Sequence, residues 1–320
     1  MQVSVIIPTF NYKHTIIAAI QSVILQTYPK ELTEIIVVDD GSTDDTRGVL
    51  EEFIIGKTIK YFYQSNQGKA SATISGINIS TGKIIFCLDA DDTFLPGKIQ
   101  VTVDVFKMFP QVVHVSTPAL IRYANQGSTI EKVPKFLLNK PTSGSEALIF
   151  FFSNNILFGG GSTFACLANI LKEDTIPPEV NMYIDEFLVI NALSKGDTYF
   201  ISEPLSTWHI HEHNYSVYGS IDEHRINKNN SLLSSSKAIL DYLLKEHTDK
   251  KIQLLYFLKH NIRVIHFAEI SNKKSLYVIF TFIVNCFIRT QYPISVYIKY
   301  NAFNRLLPAP LIRILRKIKN

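Results

Sequence analysis

The first 120 residues alternate between short runs dense in apolar side chains and amphipathic stretches. Ile84–Leu88 is an unbroken apolar run, the pattern of a strand covered on both faces; Val3–Ile7 reads as a buried strand too, and Glu34–Val38, Ile59–Gln64 and Val112–Thr117 as further strands. Between them, Ile16, Ile20, Val23 and Ile24 recur at helical spacing and Tyr28-Pro29 stops that helix. Ala70–Ile79 reads as a second helix ending near Thr81-Gly82, and Pro96 opens a third that runs to Phe109. Pro8 is expected to end the first strand, because proline brings no N–H to a ladder. Such alternation specifies right-handed βαβ units, so the expected fold is α/β, with a doubly wound, mostly parallel sheet and helices on both faces.

Past Arg122 the periodicity weakens. Ala124–Ser145 reads as a polar loop, Glu146–Phe152 as a short apolar segment, and Gly159-Gly160-Gly161-Ser162 as a flexible or close-approach loop. A helix over Ile184–Lys195 stops at Gly196, and a strand near Thr198–Ile201 leads to Pro204. Beyond Ile221 the pattern is helical and basic to the end.

Charge sharpens that division. The net charge of +4 conceals 15 Lys and Arg against 22 Asp and Glu in residues 1–220, then 17 against 6 in residues 221–320. Two regions are therefore expected, a catalytic domain over 1–220 and a basic helical region over 221–320. Within the latter, Ser275–Ile288 is apolar but too short to span a bilayer. Leu306–Lys319 mixes apolar residues with cations, which suits peripheral contact with an anionic membrane and equally a helical appendage with solvated lysines. Nucleic acid is not an expected partner, since no recognised binding module accompanies the charge. Three widely spaced cysteines and a start without a basic leader point to a cytoplasmic location, at the inner membrane face if the tail engages lipid.

The candidate chemistry follows the central strand. Asp89-Ala90-Asp91-Asp92 places three carboxylates in four residues at a strand's carboxyl end, where open α/β sheets form their ligand crevice. If the chain stays extended, Asp89 and Asp91 share one side. Hard oxygen ligands in that setting suit Mn2+ or Mg2+ bound with substrate phosphates; the plainer reading is an acidic turn opening a helix. Asp39-Asp40-Gly41-Ser42-Thr43-Asp44 closes the second strand in the same way, with Gly41 permitting a tight turn. His209, His211 and His213 alternate like strand residues, but no Cys or acid stands at the spacing a structural zinc site needs.

Four ordered blocks carry a resemblance. Val3-Ser4-Val5-Ile6-Ile7-Pro8-Thr9-Phe10-Asn11, the run from Glu34 to Asp44, Leu88-Asp89-Ala90-Asp91-Asp92, and Asp185 with Leu188 and Lys195-Gly196 together resemble family 2 glycosyltransferases of the GT-A nucleotide-sugar fold, over about residues 1–215. The resemblance implies inverting transfer of a sugar from a nucleotide-diphosphate donor, with UDP the usual nucleotide, to an acceptor hydroxyl of a glycan or lipid-linked saccharide. It assigns Asp40 to the nucleotide base, Pro8, Thr9 and Phe10 to the walls of that pocket, and Asp89 to ribose or sugar hydroxyls. Asp91 and Asp92 would bind the metal, and His211 would lie near metal and diphosphate. Asp185 occupies the position of the catalytic base, with Glu186 the alternative because Ile184 replaces the acid that usually precedes it. Thr73-Ile74 stands where the family often has Arg-Asn, leaving Lys69 as the compensating cation near the donor, and His209 stands where arginine is common. Gly159–Gly161 corresponds to a region that often contacts the acceptor.

Overall fold

Every residue of Val3–Thr9 is buried, and this run (β1) forms the spine of the computed structural model, which describes residues 1–124, 127–154, 160–173, 175–211, 223–247, 249–270 and 280. The elements that follow are α1 (Ile16–Ile24), β2 (Thr33–Asp39), α2 (Thr46–Val49), α3 (Glu51–Ile55), β3 (Lys60–Tyr63), α4 (Lys69–Ile79) and β4 (Ile84–Cys87). Next come β5 (Thr93–Phe94), α5 (Lys98–Met108), β6 (Val112–Ser116), β7 (Ala119–Tyr123), β8 (Gly127–Ile130), β9 (Pro141–Thr142) and α6 (Gly144–Ser153). Then follow β10 (Phe164–Leu167), α7 (Ala168–Glu173), α8 (Ile184–Leu193), β11 (Asp197–Phe200), β12 (Ser206–Ile210), α9 (Glu223–Glu246) and α10 (Lys250–Ile270).

The chain divides into two units, one of residues 1–148 with 158–219 and one of residues 149–157 with 220–320. In the first, an eight-stranded sheet has the order β3-β2-β1-β4-β10-β6-β11-β9. Strands β3, β2, β1 and β4 are parallel, as are β6 and β11, which is the βαβ architecture the periodicity predicts. The sheet is nevertheless mixed: β10 runs antiparallel to both β4 and β6, and β9 antiparallel to β11. β10 follows directly on the glycines read as a loop, and four residues are too few to register as a strand by periodicity. The core beneath β1 is built from Val3, Val5, Ile7, Ile16, Ile20 and Val37, each excluded from solvent. Burying an aliphatic side chain of this kind is worth roughly 1.5–3 kcal/mol, so this face alone anchors the strand ends that carry the acids.

Pro8 lies inside β1 rather than ending it, paired in register with Val38. Ile6 gives its carbonyl to the Leu88 N–H and Thr9 gives its own to the Asp40 N–H. Pro8 therefore shares Ile6's side of the strand, where pairing with β4 stops at Ile6–Cys87, and its missing N–H breaks no ladder bond.

A second sheet has the order β5-β12-β7-β8, and its β8, with β9 of the first sheet, lies in the stretch Ala124–Ser145 read as a loop. β12 runs parallel to β7 and antiparallel to β5, while β7 and β8 form a hairpin. β8 escapes notice in the sequence because it is exposed along its whole length, and β7 is exposed at Arg122 and Tyr123, leaving no apolar alternation to read.

In the second unit, α9 and α10 bury Ile239, Leu243, Ile252, Leu255 and Tyr256, and the Tyr256 ring meets Phe152 edge-on at 5.0 Å. The helical reading beyond Ile221 agrees with α9 and α10. Ser275–Ile288 apart from Phe280, the tail Leu306–Lys319, Gly159 and His213 lie outside the described residues. Among the described residues no helix is long and apolar enough to cross a membrane.

Candidate active site

The carboxyl ends of β1, β2 and β4 lie side by side, so the loops that leave them share one crevice. After β4 the chain does not stay extended. Asp92 N–H donates to the Asp89 carbonyl at 3.0 Å, closing a turn, and the alternation expected for Asp89 and Asp91 gives way to convergence. Asp89, Asp91 and Asp92 each offer an oxygen within 4.8 Å of the others. From β12, His211 brings Nε2 to 3.2 Å from Asp91 Oδ2, and the Tyr12 hydroxyl donates to Asp91 from the β1–α1 loop. Asp92 is the deepest of the three, accepting from Ser162 Oγ at 2.5 Å and from the His209 N–H at 3.1 Å.

The crowding has an electrostatic cost. Burial, then the charge of Asp89, pushes Asp92 up to about 8, and the same two causes raise Asp91 above the ordinary carboxylate range. A divalent cation removes that cost. The three converging carboxylate oxygens form a donor set that fits Mn2+ or Mg2+, with the His211 imidazole paired to Asp91 at its edge.

Lys69, the first residue of α4, ties this cluster to α8. Its Nζ lies 2.7 Å from Asp89 Oδ1 and 3.1 Å from Asp185 Oδ2. Asp185 sits in the first turn of α8, entered through Tyr183 in the left-handed region at φ 54°. Burial raises the Asp185 carboxyl; the Lys69 charge opposes this and the Asp89 charge adds to it. Gly161 packs its backbone against the same pair, since a Cβ there would stand 3.0 Å from Asp185 Oδ1 and 3.3 Å from Asp89 Oδ1. Of the two candidate bases, Asp185 reaches this cluster, whereas Glu186 is buried at 5% exposure. Thr73 is buried too and donates to the Lys69 carbonyl at 2.8 Å, so Lys69 is the cation that α4 contributes here.

Asp40 is also buried. It accepts from Gln64 Nε2 at 2.7 Å, the Gln67 N–H at 3.0 Å and the Gly68 N–H at 2.7 Å. It thereby fixes the loop that delivers Lys69, with Gly68 at φ 92°. Thr9 is buried with its hydroxyl unpartnered among the described residues, Pro8 is buried beside it, and Phe10 is exposed. Asn11, at φ 61°, joins this loop to the next by accepting from the Thr43 and Asp44 N–H groups. Tyr12, Ser162 and Gly161 as a contact of Asp185 escape the sequence reading. Tyr12 follows directly on the Phe10-Asn11 block, but its sequence neighbours carry no sign that it faces Asp91.

Residues 4–173 match the family profile described as Glycosyl transferase family 2, more than half of the chain. The chain belongs to glycosyl transferase family 2. An uncharacterized glycosyltransferase of Nostoc sp. is 44% identical over 110 residues, 33% of this chain and 33% of that protein. The Escherichia coli UDP-Glc:alpha-D-GlcNAc-diphosphoundecaprenol beta-1,3-glucosyltransferase WfgD is 34% identical over 103 residues, 32% of this chain and 40% of WfgD. The chain thus matches well under half the length of either relative. Among solved structures, Staphylococcus aureus TarS 1-349 superposes with a TM-score of 0.63 at 17% identity, covering 89% of this chain and 79% of TarS. The Pyrobaculum calidifontis mannosyltransferase PcManGT, in complex with GDP-Man and Mn2+, gives 0.57 at 17% identity, covering 90% and 80%. At that identity the likeness establishes the fold, the GT-A-type α/β architecture expected from the motifs.

Proposed function

We propose that this family 2 protein transfers a sugar, with inversion, from a nucleotide-diphosphate sugar to an acceptor hydroxyl in surface-glycan assembly. The observation that carries the reading is the meeting of Asp89, Asp91 and Asp92 with Asp185 through Lys69 at the strand ends. A UDP-sugar is the proposed donor. TarS has been solved with UDP-GlcNAc, and the name of WfgD specifies UDP-Glc with a diphosphoundecaprenol-linked acceptor. A lipid-linked saccharide is accordingly the proposed acceptor, with the basic region beyond residue 221 contacting the membrane face.

The chemistry is a single in-line displacement. The acceptor oxygen attacks the anomeric carbon as the bond to the diphosphate oxygen breaks, and Asp185 takes the hydroxyl proton. A positioned carboxylate base of this kind typically supplies ~10²–10⁴-fold. Asp40, Pro8, Thr9 and Phe10 form the nucleoside end, and Asp89 takes ribose or sugar hydroxyls. Lys69 adds positive charge between donor and base. Asp91, Asp92 and His211 would hold a divalent cation, which when bound neutralises charge on the leaving diphosphate.

The test is UDP release from a panel of UDP-sugars with Mn2+, on wild type, Asp91→Ala and Asp185→Asn. Asp91→Ala should abolish release while keeping the fold. Asp185→Asn should lower kcat by ~10²–10⁴-fold and leave donor KM within about twofold. Wild-type turnover in Asp185→Asn would move the base elsewhere. Donor binding by the wild type without any turnover would instead indicate a nucleotide-sugar-binding protein.

A further inference from the structure

Lys98 has no part in the reaction as written, yet it is one of the largest side chains fully removed from solvent, at 1% exposure. It opens α5 directly after Gly97, whose φ of 83° only glycine adopts readily. Its Nζ donates to the Ser162 carbonyl at 2.6 Å and to Ser206 Oγ, and lies 4.5 Å from the Phe94 ring centre. Ser206 Oγ donates in turn to the same Ser162 carbonyl at 2.5 Å.

Ser162 therefore has two faces. Its carbonyl is gripped by Lys98 and Ser206, while its hydroxyl donates to Asp92 Oδ2 and accepts the Asp89 N–H at 3.0 Å. Ser206 begins β12, the strand that gives Asp92 the His209 N–H and ends beside His211. Burial pushes the Lys98 amine down to about 7, and an apolar side chain would fill the same space without that penalty. What the amino group provides is orientation, because its N–H bonds join α5, the turn at Ser162 and the start of β12 behind the acid cluster.

We propose that Lys98 is a positioning residue for the divalent-cation site, holding Ser162 and Ser206 so that Asp92 and His211 present their donor atoms together. The proposal rests on the metal-binding reading of the acid cluster. Groups that orient first-shell ligands typically change metal affinity 10–100-fold when removed.

The experiment titrates Mn2+ into the full chain without nucleotide, follows free Mn2+ by electron paramagnetic resonance, and records Tm alongside. Lys98→Met keeps the length of the side chain and removes the amino group. Its Mn2+ dissociation constant should rise about tenfold, as should that of Ser162→Ala, and the double variant should be little weaker than either single because both act on one path. A lower Tm with unchanged Mn2+ affinity would make Lys98 merely structural and overturn the proposal. Should Lys98→Met not fold, Ser206→Ala leaves the lysine in place while removing one group it holds; Mn2+ affinity equal to wild type there would also overturn it. If the wild-type chain bound no Mn2+, the metal reading itself would fall, and the proposal with it.

Discussion

Replacing Gly161 by alanine probes the site at its tightest point. The added Cβ would stand 3.0 Å from Asp185 Oδ1, 3.3 Å from Asp89 Oδ1 and 3.5 Å from Asp185 Cγ, so the neighbouring groups must give by a few tenths of an ångström. Neither carboxylate moves alone, since Lys69 holds both at 2.7 and 3.1 Å. A misplacement of about 1 Å can cost ~10²-fold, so a shift of roughly half that should lower kcat about tenfold, or about 1.4 kcal/mol in the barrier. Stability should not fall in parallel. The atoms met at these distances belong to carboxylate side chains 24% and 31% exposed and not to backbone, and alanine restricts the unfolded chain by about 0.4–1 kcal/mol relative to glycine. On the proposed reaction the assay is UDP release at saturating donor and Mn2+, with Tm recorded on the same preparation. Wild-type turnover in Gly161→Ala would refute the claim that the spacing of Asp185 and Asp89 governs catalysis. A large drop in Tm would show that the wedge is felt by the fold and not by the carboxylates.

Two further outcomes follow from buried polar groups. Asp40→Ala strips three hydrogen bonds from the Gln64–Gly68 loop and leaves two backbone N–H groups without their acceptor, which should cost roughly 2–4 kcal/mol and raise donor KM; denaturant unfolding that matches wild type would contradict this. His114, fully buried with Nδ1 2.8 Å from Thr198 Oγ1, is pushed down to about 3 by burial. Its folded value lies below the unfolded one, so the unfolded chain binds more protons between the two. The stability it contributes is complete above pH 6.5 and is lost as pH falls toward 3, at up to about 1.4 kcal/mol per pH unit and on the order of 5 kcal/mol in all. His114→Asn should flatten the dependence of unfolding free energy on pH below 6, and an unchanged slope would exclude His114 as the source.

The amino-acid sequence by itself determined the parallel half of the sheet and the positions of its acids. Strands buried on both faces need unbroken apolar runs, and β1, β2 and β4 have them; loops at their carboxyl ends need turn formers and acids, and Asp39–Asp44 and Asp89–Asp92 supply both. These are local signals. The distant Asp185 was singled out only by the resemblance, through its spacing to Lys195-Gly196. What remained hidden was whatever depends on contacts between segments far apart in the chain. Strand β8 of the β7–β8 hairpin is exposed along its whole length and so lacks a periodic signature. The reversal of β10 depends on which neighbours it finds, and nothing in Phe164–Leu167 announces a direction. Only tertiary structure set Lys69 between Asp89 and Asp185, Gly161 against both, and buried Lys98 behind Ser162. Each of these is an electrostatic or steric contact whose partners lie tens of residues apart, and a chain read residue by residue carries no measure of such distances.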